Sequence, residues 1–275
     1  MSSLIVVNAD DLGLSRSVND GIFEALDAKV VSDASLLANG EGFEHAVEGL
    51  KSRGRKSIGI HFCLVDKEKP LARIPDITSV SEGDFFFRDR NRLFKKILLG
   101  GKKIARVLAL ELEAQIARIS GAGLNITHLD SHQHTHLFPG ISKMVLEACL
   151  RHKIPFIRVP STQFKSPVAL AVEIFSLLLR RSESERVQFV PSLGFENSGK
   201  LSAENFRENF NRALKSRSKL VEIMVHPGRA DNATRQKYAH WGYNWDRELE
   251  ILLGSKGEDS FNCVSYESAL EKLVK

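Results

Sequence analysis

The feature that most constrains the fold is a repeated alternation of short apolar runs and amphipathic segments along the chain. Runs such as 4–7, which are rich in β-branched residues and lack polar alternation, predict strands that are covered on both faces. We predict strands at 4–7, 34–37, 57–60, 125–129, 156–159, 188–190, 221–225 and 262–264, and helices at 42–50, 104–119, 141–150, 167–180, 203–214, 246–253 and from 265. The alternation predicts an α/β fold with a parallel sheet, either open or closed into a barrel.

Local signals refine this prediction. Ser17, with Asp20 three residues later, predicts the start of a further helix after the first strand. Segment 65–81 contains two prolines and has no clear period, so it predicts a long irregular loop of the kind that forms lids or binding loops. Because the chain shows no repeat, low-complexity segment or interdomain linker, we expect residues 1–275 to form a single domain.

The composition, with 43% apolar residues, 27% charged residues and a net charge of +5, is that of an ordinary globular protein. No nucleic-acid-binding motif accompanies the basic residues. Cys63, Cys149 and Cys263 form no Cys-x-x-Cys pair, which suits a reducing compartment. The apolar start has no basic region, and segment 168–179 is shorter than the about 20 residues that span a bilayer. We expect a cytoplasmic protein without a transmembrane segment or a nucleic-acid partner.

The densest basic stretch runs from Arg88 to Arg106 and is interspersed with Leu and Ile. This pattern is typical of a solvated helical face, and a role on a membrane surface or with an acidic ligand is the alternative. The pattern alone does not decide between these roles.

Segment 127–136 concentrates the histidines: His128, His132, His134 and His136 are four of the nine in the chain. Neutral imidazole is a common metal ligand, and it titrates near physiological pH. The cluster therefore indicates metal binding, proton transfer or both. The alternative is a polar loop with solvated histidines.

Four polar clusters follow predicted strands directly. They are Asp10 with Asp11, His61, the histidines of 127–136, and His226. Each has a structural alternative, since aspartates after a strand are often turn formers or helix caps. However, the carboxyl ends of parallel strands face one way, and active sites are built there. We therefore expect the clusters to meet at one face.

A carboxylate with two imidazoles leaves open coordination positions on a divalent metal ion. Such an ion lowers the pKa of bound water and polarises a carbonyl oxygen. A second carboxylate can accept a proton, and another histidine can protonate a leaving group. The combination predicts metal-assisted hydrolysis of an acyl or phosphoryl bond.

Four stretches carry a resemblance to a known family: VNADDLGLS at 7–15, GIHF at 59–62, THLDSHQHTHLFP at 127–139 and MVHP at 224–227. On these the sequence resembles the YdjC-like carbohydrate deacetylases, which include chito-oligosaccharide deacetylases and a hopanoid-associated member. The resemblance implies a distorted (β/α) barrel of about seven parallel strands, related to the polysaccharide deacetylases, and one divalent ion, Mg²⁺ or Zn²⁺.

The resemblance also implies residue roles. It matches Asp11, His61 and His132 to metal ligands, Asp10 to the general base and His226 to the general acid. In the implied reaction a metal-bound water attacks an N-acetyl carbonyl, releasing acetate and a free amino sugar.

Three further residues are expected to contact substrate or to orient the ligands, namely His128, His134 and Arg158, whereas His136 has no predicted role. Segment 66–106 is expected to shape the mouth of the substrate site. The substrate is then a small molecule or an oligosaccharide, or, if the basic stretch lies on a membrane, a lipid-linked glycan. The resemblance further implies a homo-oligomer such as a dimer.

Two other functions remain open at this point. The His-x-His spacing of His132 and His134 also occurs in barrel amidohydrolases, so another metal-dependent amidohydrolase or a phosphoesterase is one alternative. A non-catalytic sugar-binding protein on the same scaffold is the other. The retention of Asp10, Asp11, His61 and His132 speaks against the latter, because degenerate sites usually lose a ligand or base first.

Overall fold

Seven parallel strands close into a barrel in the computed structural model, which describes residues 3–163, 166–180, 186–256 and 263–273. The strands of the described chain are β1 (Leu4–Leu12), β2 (Asp33–Leu36), β3 (Ser57–Phe62), β4 (Ser81–Glu82), β5 (Phe85–Phe86), β6 (Asn125–Ser131), β7 (Phe156–Pro160), β8 (Gln188–Leu193) and β9 (Leu220–Val225). The barrel order is β1-β2-β3-β6-β7-β8-β9, and β9 pairs with β1 to close it. β4 and β5 form a separate antiparallel pair. The predicted barrel is confirmed.

Helices connect the strands and cover the outside of the barrel. They are α1 (Arg16–Asp27), α2 (Phe43–Ser52), α3 (Arg90–Gly121), α4 (Ile141–His152), α5 (Pro167–Arg180), α6 (Ala203–Leu214), α7 (Asn232–Lys237), α8 (Trp245–Gly254) and α9 (Tyr266–Leu273). Short 3-10 turns occupy Pro75–Ser79, His132–Leu137, Phe195–Asn197 and Ala239–Trp241. Within the described ranges, every helix is too short or too polar to cross a membrane.

Two helix starts differ from the sequence prediction. α1 is capped by Ser15 rather than Ser17, because Ser15 is extended and its hydroxyl accepts the Val18 N–H at 3.2 Å. α3 begins at Arg90, so it joins the helical face predicted at 88–106 to the helix predicted from residue 104. Its two parts are joined at Gly101, whose φ of 49° and ψ of −133° interrupt the helical geometry and hide the continuity from a periodicity argument.

Two other predicted segments also differ. The expected loop 65–81 contains the 3-10 turn Pro75–Ser79 and ends where β4 begins. The expected last strand at 262–264 is absent at Cys263 and Val264, whereas residue 262 lies outside the described residues. The Val264 N–H instead donates a single hydrogen bond to the Ile5 carbonyl, which anchors the chain before α9.

The amino-terminal end of the barrel is closed by Tyr266 of α9. Its ring stacks on His128 of β6, with centroids 3.9 Å apart, and its hydroxyl donates to Glu222 at 2.7 Å. Both Tyr266 and His128 are fully buried. A functional site is therefore expected at the opposite end of the barrel, where the carboxyl ends of the strands lie.

Gly59 of β3 lies where the ring of His128 passes closest to the backbone. A Cβ added at Gly59 would lie 2.2 Å from Nε2 of His128. We expect Gly59→Ala to lower the free energy of unfolding by about 1–3 kcal/mol, because the ring or the strand must shift. Gly121→Ala, at the end of α3, is the matched control because its added methyl group meets nothing within 4 Å. Urea unfolding of both variants tests the prediction, and equal midpoints would contradict it.

Candidate metal centre and active site

The carboxylates of Asp10 and Asp11 both lie at the carboxyl end of the barrel and face the same site, although the side chains of adjacent strand residues normally point to opposite faces. They lie in the last residues of β1, not beyond it as predicted. Asp11 has a φ of 67°, and the pairing of β1 with β2 shifts register between Ala9 and Leu12. This irregularity is a β-bulge at a residue type that tolerates positive φ. The bulge thereby turns two consecutive carboxylates towards one site.

The three predicted metal ligands come together. Oδ1 of Asp11 lies 3.3 Å from Nε2 of His61 and 3.0 Å from Nδ1 of His132, and the two nitrogens are 3.3 Å apart. Bonds of about 2.1 Å to a divalent ion place its ligand atoms about 3.0 Å apart at right angles and about 3.4 Å apart in a tetrahedron. In addition, Oδ2 of Asp11 is buried without a hydrogen-bond partner among the described residues. This donor set fits one divalent ion.

Each histidine of this set is held through its other ring nitrogen. Nδ1 of His61 lies 2.6 Å from Oδ1 of Asp130, and Nε2 of His132 lies 3.0 Å from Oδ2 of Asp66. When the ring nitrogen that faces the carboxylate carries the proton and donates it in a hydrogen bond, the lone pair of the other ring nitrogen is free to bind a metal ion. Carboxylates in this position fix the tautomer and ring orientation of metal-binding histidines.

The local electrostatics favour positive charge. Burial opposes ionisation of Asp11, but the imidazoles of His132 and His61 hold the pKa of its carboxyl well below the usual value. Burial would lower the pKa of His61, yet Asp130 and Asp10 raise it to about 10. Burial likewise opposes the charge on His132, whereas Asp11 and Asp66 raise its pKa to about 9. Without a metal ion these carboxylates therefore stabilise the protonated imidazoles of His61 and His132. They would stabilise a bound cation in the same way.

Arg158 of β7 is the positive centre of the barrel interior. It is fully buried, and its two terminal nitrogens each lie 2.6 Å from an oxygen of Asp10. It also lies 2.7 Å from Asp130 and 2.6 Å from Glu222. Because Arg158 does not line the cavity, the structure places it behind Asp10, where its two hydrogen bonds orient this carboxylate.

Arg158 also distinguishes the candidate metal site from two similar groups of ligand atoms. Two other sets of ligand atoms lie within 4.8 Å of one another: Asp10, His61 and Asp130; and His128, Asp130 and Glu222. In both sets the carboxylates already pair with the guanidinium of Arg158. Of the three sets in the described chain, Asp11 with His61 and His132 is the one without a resident cation.

His226 follows β9 directly and faces Asp10 across the site. Its Nε2 lies 3.9 Å from Oδ2 of Asp10. The backbone N–H of His226 donates to Glu248 at 2.7 Å, and the ring meets Tyr243 edge-on with centroids 4.8 Å apart. These contacts fix the ring beside the cavity, where it is within reach of a bound substrate.

The other predicted histidines lie at different depths. His128 is inside the barrel, 3.2 Å from Asn8 and 3.3 Å from the Ser35 hydroxyl, and it does not line the cavity. His134 does line the cavity. His136 accepts from the Ser131 hydroxyl at 2.6 Å and donates to the Arg158 carbonyl at 3.0 Å, so its contacts are those of a structural residue. Burial lowers the pKa of all three, which keeps them neutral.

A cavity of about 500 Å³ opens above these groups. Its floor includes Asp10, His61, His132 and His226. Its walls are partly aromatic and partly charged, and they include Phe195, Trp241, Tyr243, Arg88 and Arg90. The volume and the aromatic walls suit a small polar ligand with apolar faces, such as a sugar.

Comparison with known proteins identifies the family of the chain. The sequence model for YdjC-like proteins matches residues 4–261, which is nearly the whole chain. The chain belongs to the YdjC family. It is 32% identical over 257 residues to a carbohydrate deacetylase of Brevibacillus brevis, covering 92% of each chain. It is 30% identical over 265 residues to a chitooligosaccharide deacetylase of Proteus mirabilis, covering 93% of this chain and 92% of that one.

The fold has a counterpart among solved structures. A crystallised Enterococcus faecalis protein, described as a candidate cellobiose-phosphate cleavage protein, superposes with a TM-score of 0.78 at 22% identity. The match covers 98% of this YdjC family member and 99% of that chain. At this identity the likeness supports the shared barrel fold.

Sequence reasoning missed several residues of the site in this YdjC family member. Asp130 has no predicted role, yet its carboxylate holds the ring of His61. Its position was readable, because residues 128 and 130 alternate along β6 and so share a face. Asp66 and Tyr243 lie in loops, Trp241 in a 3-10 turn and Glu248 in α8, and no local pattern marks their approach to His132 or His226.

Replacing Asp66 tests whether the carboxylate that is hydrogen-bonded to His132 contributes to metal binding. Besides His132, this buried carboxylate accepts from His240 at 2.7 Å and from the Trp241 indole at 3.2 Å. We expect Asp66→Asn to weaken divalent-metal affinity by about 10- to 100-fold, because His132 loses its charged partner. Asp76→Asn, an exposed acid in the same connection, is the control. Metal titration by calorimetry measures the effect, and unchanged affinity would refute the positioning role of Asp66.

Proposed function

We propose that the protein is a divalent-metal-dependent N-deacetylase, which hydrolyses the acetamide of an N-acetylated amino sugar to acetate and a free amine. The observation that carries the proposal is the mutual approach of Asp11, His61 and His132 to within 3.3 Å, directly beside Asp10 and His226. The names of the two full-length relatives supply the reaction class.

The metal site defines the reacting position. Asp11, His61 and His132 would hold the ion, which supplies a lowered pKa for water and polarisation of the acetyl carbonyl when bound. One carboxylate and two imidazoles suit either Mg²⁺ or Zn²⁺, and the reloading assay below distinguishes them. Asp10 has an oxygen facing His226 while Arg158 holds its geometry, so it is placed to accept a proton from the attacking water.

His226 completes the proton balance. The amide C–N bond breaks towards nitrogen, and the departing amine requires a proton to leave. His226 lies across the site from Asp10 and lines the cavity, so we assign it as the donor of that proton. Before the next turnover Asp10 releases to solvent the proton that it took from water, and His226 takes up a proton from solvent, so each residue keeps its role.

The aromatic side chains in the cavity wall provide a binding surface for the sugar. Trp241 and Tyr243 pack with ring centroids 5.3 Å apart, and such aromatic faces pack against the C–H faces of pyranose rings. Two substrate forms present the same N-acetyl group, namely a soluble chito-oligosaccharide and an amino sugar carried on a lipid. The proposal covers both because the reacting group is common to them.

The test is acetate release from diacetylchitobiose by metal-stripped protein, before and after reloading with Mg²⁺ or Zn²⁺. We expect release only after reloading, with one ion bound per chain. A protein that binds one ion but releases phosphate from phosphoesters and no acetate would be a phosphoesterase. A protein that binds the sugar without turning it over with either ion would be a sugar-binding protein. Either result would overturn the proposal.

A further inference from the structure

α5 is apolar on its outer as well as its inner face. Its inner residues, including Val172 and Leu179, pack on the barrel. Its exposed residues are all apolar, and five of them are about half exposed: Pro167, Val168, Leu170, Ile174, Leu177 and Leu178. The acidic side chain of Glu173 turns back to accept the Thr162 N–H at 3.0 Å. A helix that is hydrophobic all round is normally covered on both faces.

The first half of α3 extends the exposed apolar face of α5. Phe94 of α3 contacts Phe175 of α5 with ring centroids 6.0 Å apart, and both meet Phe138. Leu98 lies one turn beyond Phe94, on the same side of the helix. Leu98 is 60% exposed and Leu99 is 88% exposed, immediately before the break at Gly101. We define the apolar surface as the exposed Val168, Leu170, Ile174, Leu177 and Leu178 of α5 with Leu98 and Leu99 of α3.

Basic side chains border the apolar surface. Residues 88–106 contain eight Lys or Arg and one acid, Asp89. Arg92 pairs with Glu82 and Lys103 pairs with Asp76. The other six form no ion pair with any other described residue: Arg88, Arg90, Lys95, Lys96, Lys102 and Arg106. An exposed apolar face edged by unpaired cations has the pattern of a helix that lies in the headgroup layer of a membrane.

We infer that the apolar surface docks the protein on an anionic lipid bilayer, with the leucines in the acyl boundary and the lysines among the headgroups. Charge decides against a second copy of the chain. An isologous dimer brings the same patch against itself, so the unpaired basic residues would face their own copies. Anionic headgroups instead complement them, and a bilayer needs no matching shape.

The apolar surface lies next to the cavity. Arg88 and Arg90 line the cavity, and Phe94 lies one turn beyond Arg90 on α3. A docked protein therefore keeps the metal centre close to the headgroup layer. Where the proposed deacetylase function holds, this placement favours an amino sugar carried on a membrane lipid as substrate. The docking itself does not rest on that function, because it requires no turnover.

The test is cosedimentation of the full chain with phosphatidylcholine vesicles, with and without phosphatidylglycerol. We expect binding that requires the anionic lipid. Leu99→Gln/Leu177→Gln should abolish it, and Lys95→Glu/Lys96→Glu should reduce it about tenfold or more. All four residues are exposed, so the variants should fold as the wild type does. Their acetate release from soluble diacetylchitobiose should stay unchanged, which separates failure of docking from failure of the proposed function.

Matched controls change the same residue types elsewhere. Leu214→Gln alters an exposed leucine at the end of α6, and Lys51→Glu/Lys272→Glu makes the same change in net charge on α2 and α9. Both controls should bind vesicles as the wild type does. Absence of wild-type binding to anionic vesicles, or equal losses in the controls, would overturn the inference. A dimer that dissociates in Leu99→Gln/Leu177→Gln on ultracentrifugation would assign the surface to a second copy instead.

Discussion

Replacing His132 with alanine is expected to lower divalent-metal affinity by more than about 100-fold, because loss of an outer partner alone costs about 10- to 100-fold. Nδ1 of His132 lies 3.0 Å from Asp11 and 3.3 Å from His61, so the substitution removes one of three ligand atoms. Acetate release should fall to the rate of the metal-stripped protein. Metal content after dialysis and turnover of diacetylchitobiose measure the two effects.

His152→Ala is the matched control for this prediction. His152 lies at the end of α4, partly exposed, and pairs with Glu113 away from the cavity. It should keep both the bound ion and the activity. If His132→Ala retains one tightly bound ion per chain, the assignment of Asp11, His61 and His132 as the metal site is wrong.

Asp10→Asn should separate proton transfer from metal binding. The amide cannot accept the proton, so we expect kcat to fall by about 10²- to 10⁴-fold while one ion per chain stays bound. Arg158 loses one of its charge partners but keeps Asp130 and Glu222. The loss in free energy of unfolding should therefore be smaller than the about 3–5 kcal/mol typical of a broken buried pair. Thermal unfolding and metal analysis accompany the kinetic assay.

Asp89→Asn is the control for this substitution. Asp89 also lines the cavity, and asparagine serves equally well as the helix cap that Asp89 provides for α3. It should leave kcat unchanged. Comparable kcat values for Asp10→Asn and the wild type would exclude Asp10 as the base, and loss of the ion in Asp10→Asn would make it a metal-site residue instead.

The barrel was predictable because its signals are local. Each strand is a short apolar run, and each parallel connection needs a helix, so the alternation implied a parallel sheet before any contact was known. The resemblance then supplied closure into a barrel of about seven strands. The same logic brought Asp11, His61 and His132 to one face, since residues at the carboxyl ends of parallel strands converge.

Predictions based on local pattern failed where backbone conformation departs from regular geometry. Periodicity cannot follow α3 across Gly101, whose dihedral angles leave the helical region. The bulge at Asp11 was likewise invisible, although it is what lets Asp10 and Asp11 serve one site. A strand pattern with regular alternation would have sent one of these carboxylates to the wrong face.

The sequence by itself determined the alternation of parallel strands with helices and the convergence of Asp11, His61 and His132, because hydrophobic periodicity and strand polarity are properties of contiguous residues. Only the tertiary structure decided the partners of these groups. Arg158 reaches Asp10 from 148 positions away, and Asp66 reaches His132 from 66 positions away. The apolar surface likewise joins α3 to α5 through Phe94 and Phe175. Such pairings depend on how the barrel closes and on the paths of the loops, and no pattern among neighbouring residues in the sequence predicts either of these.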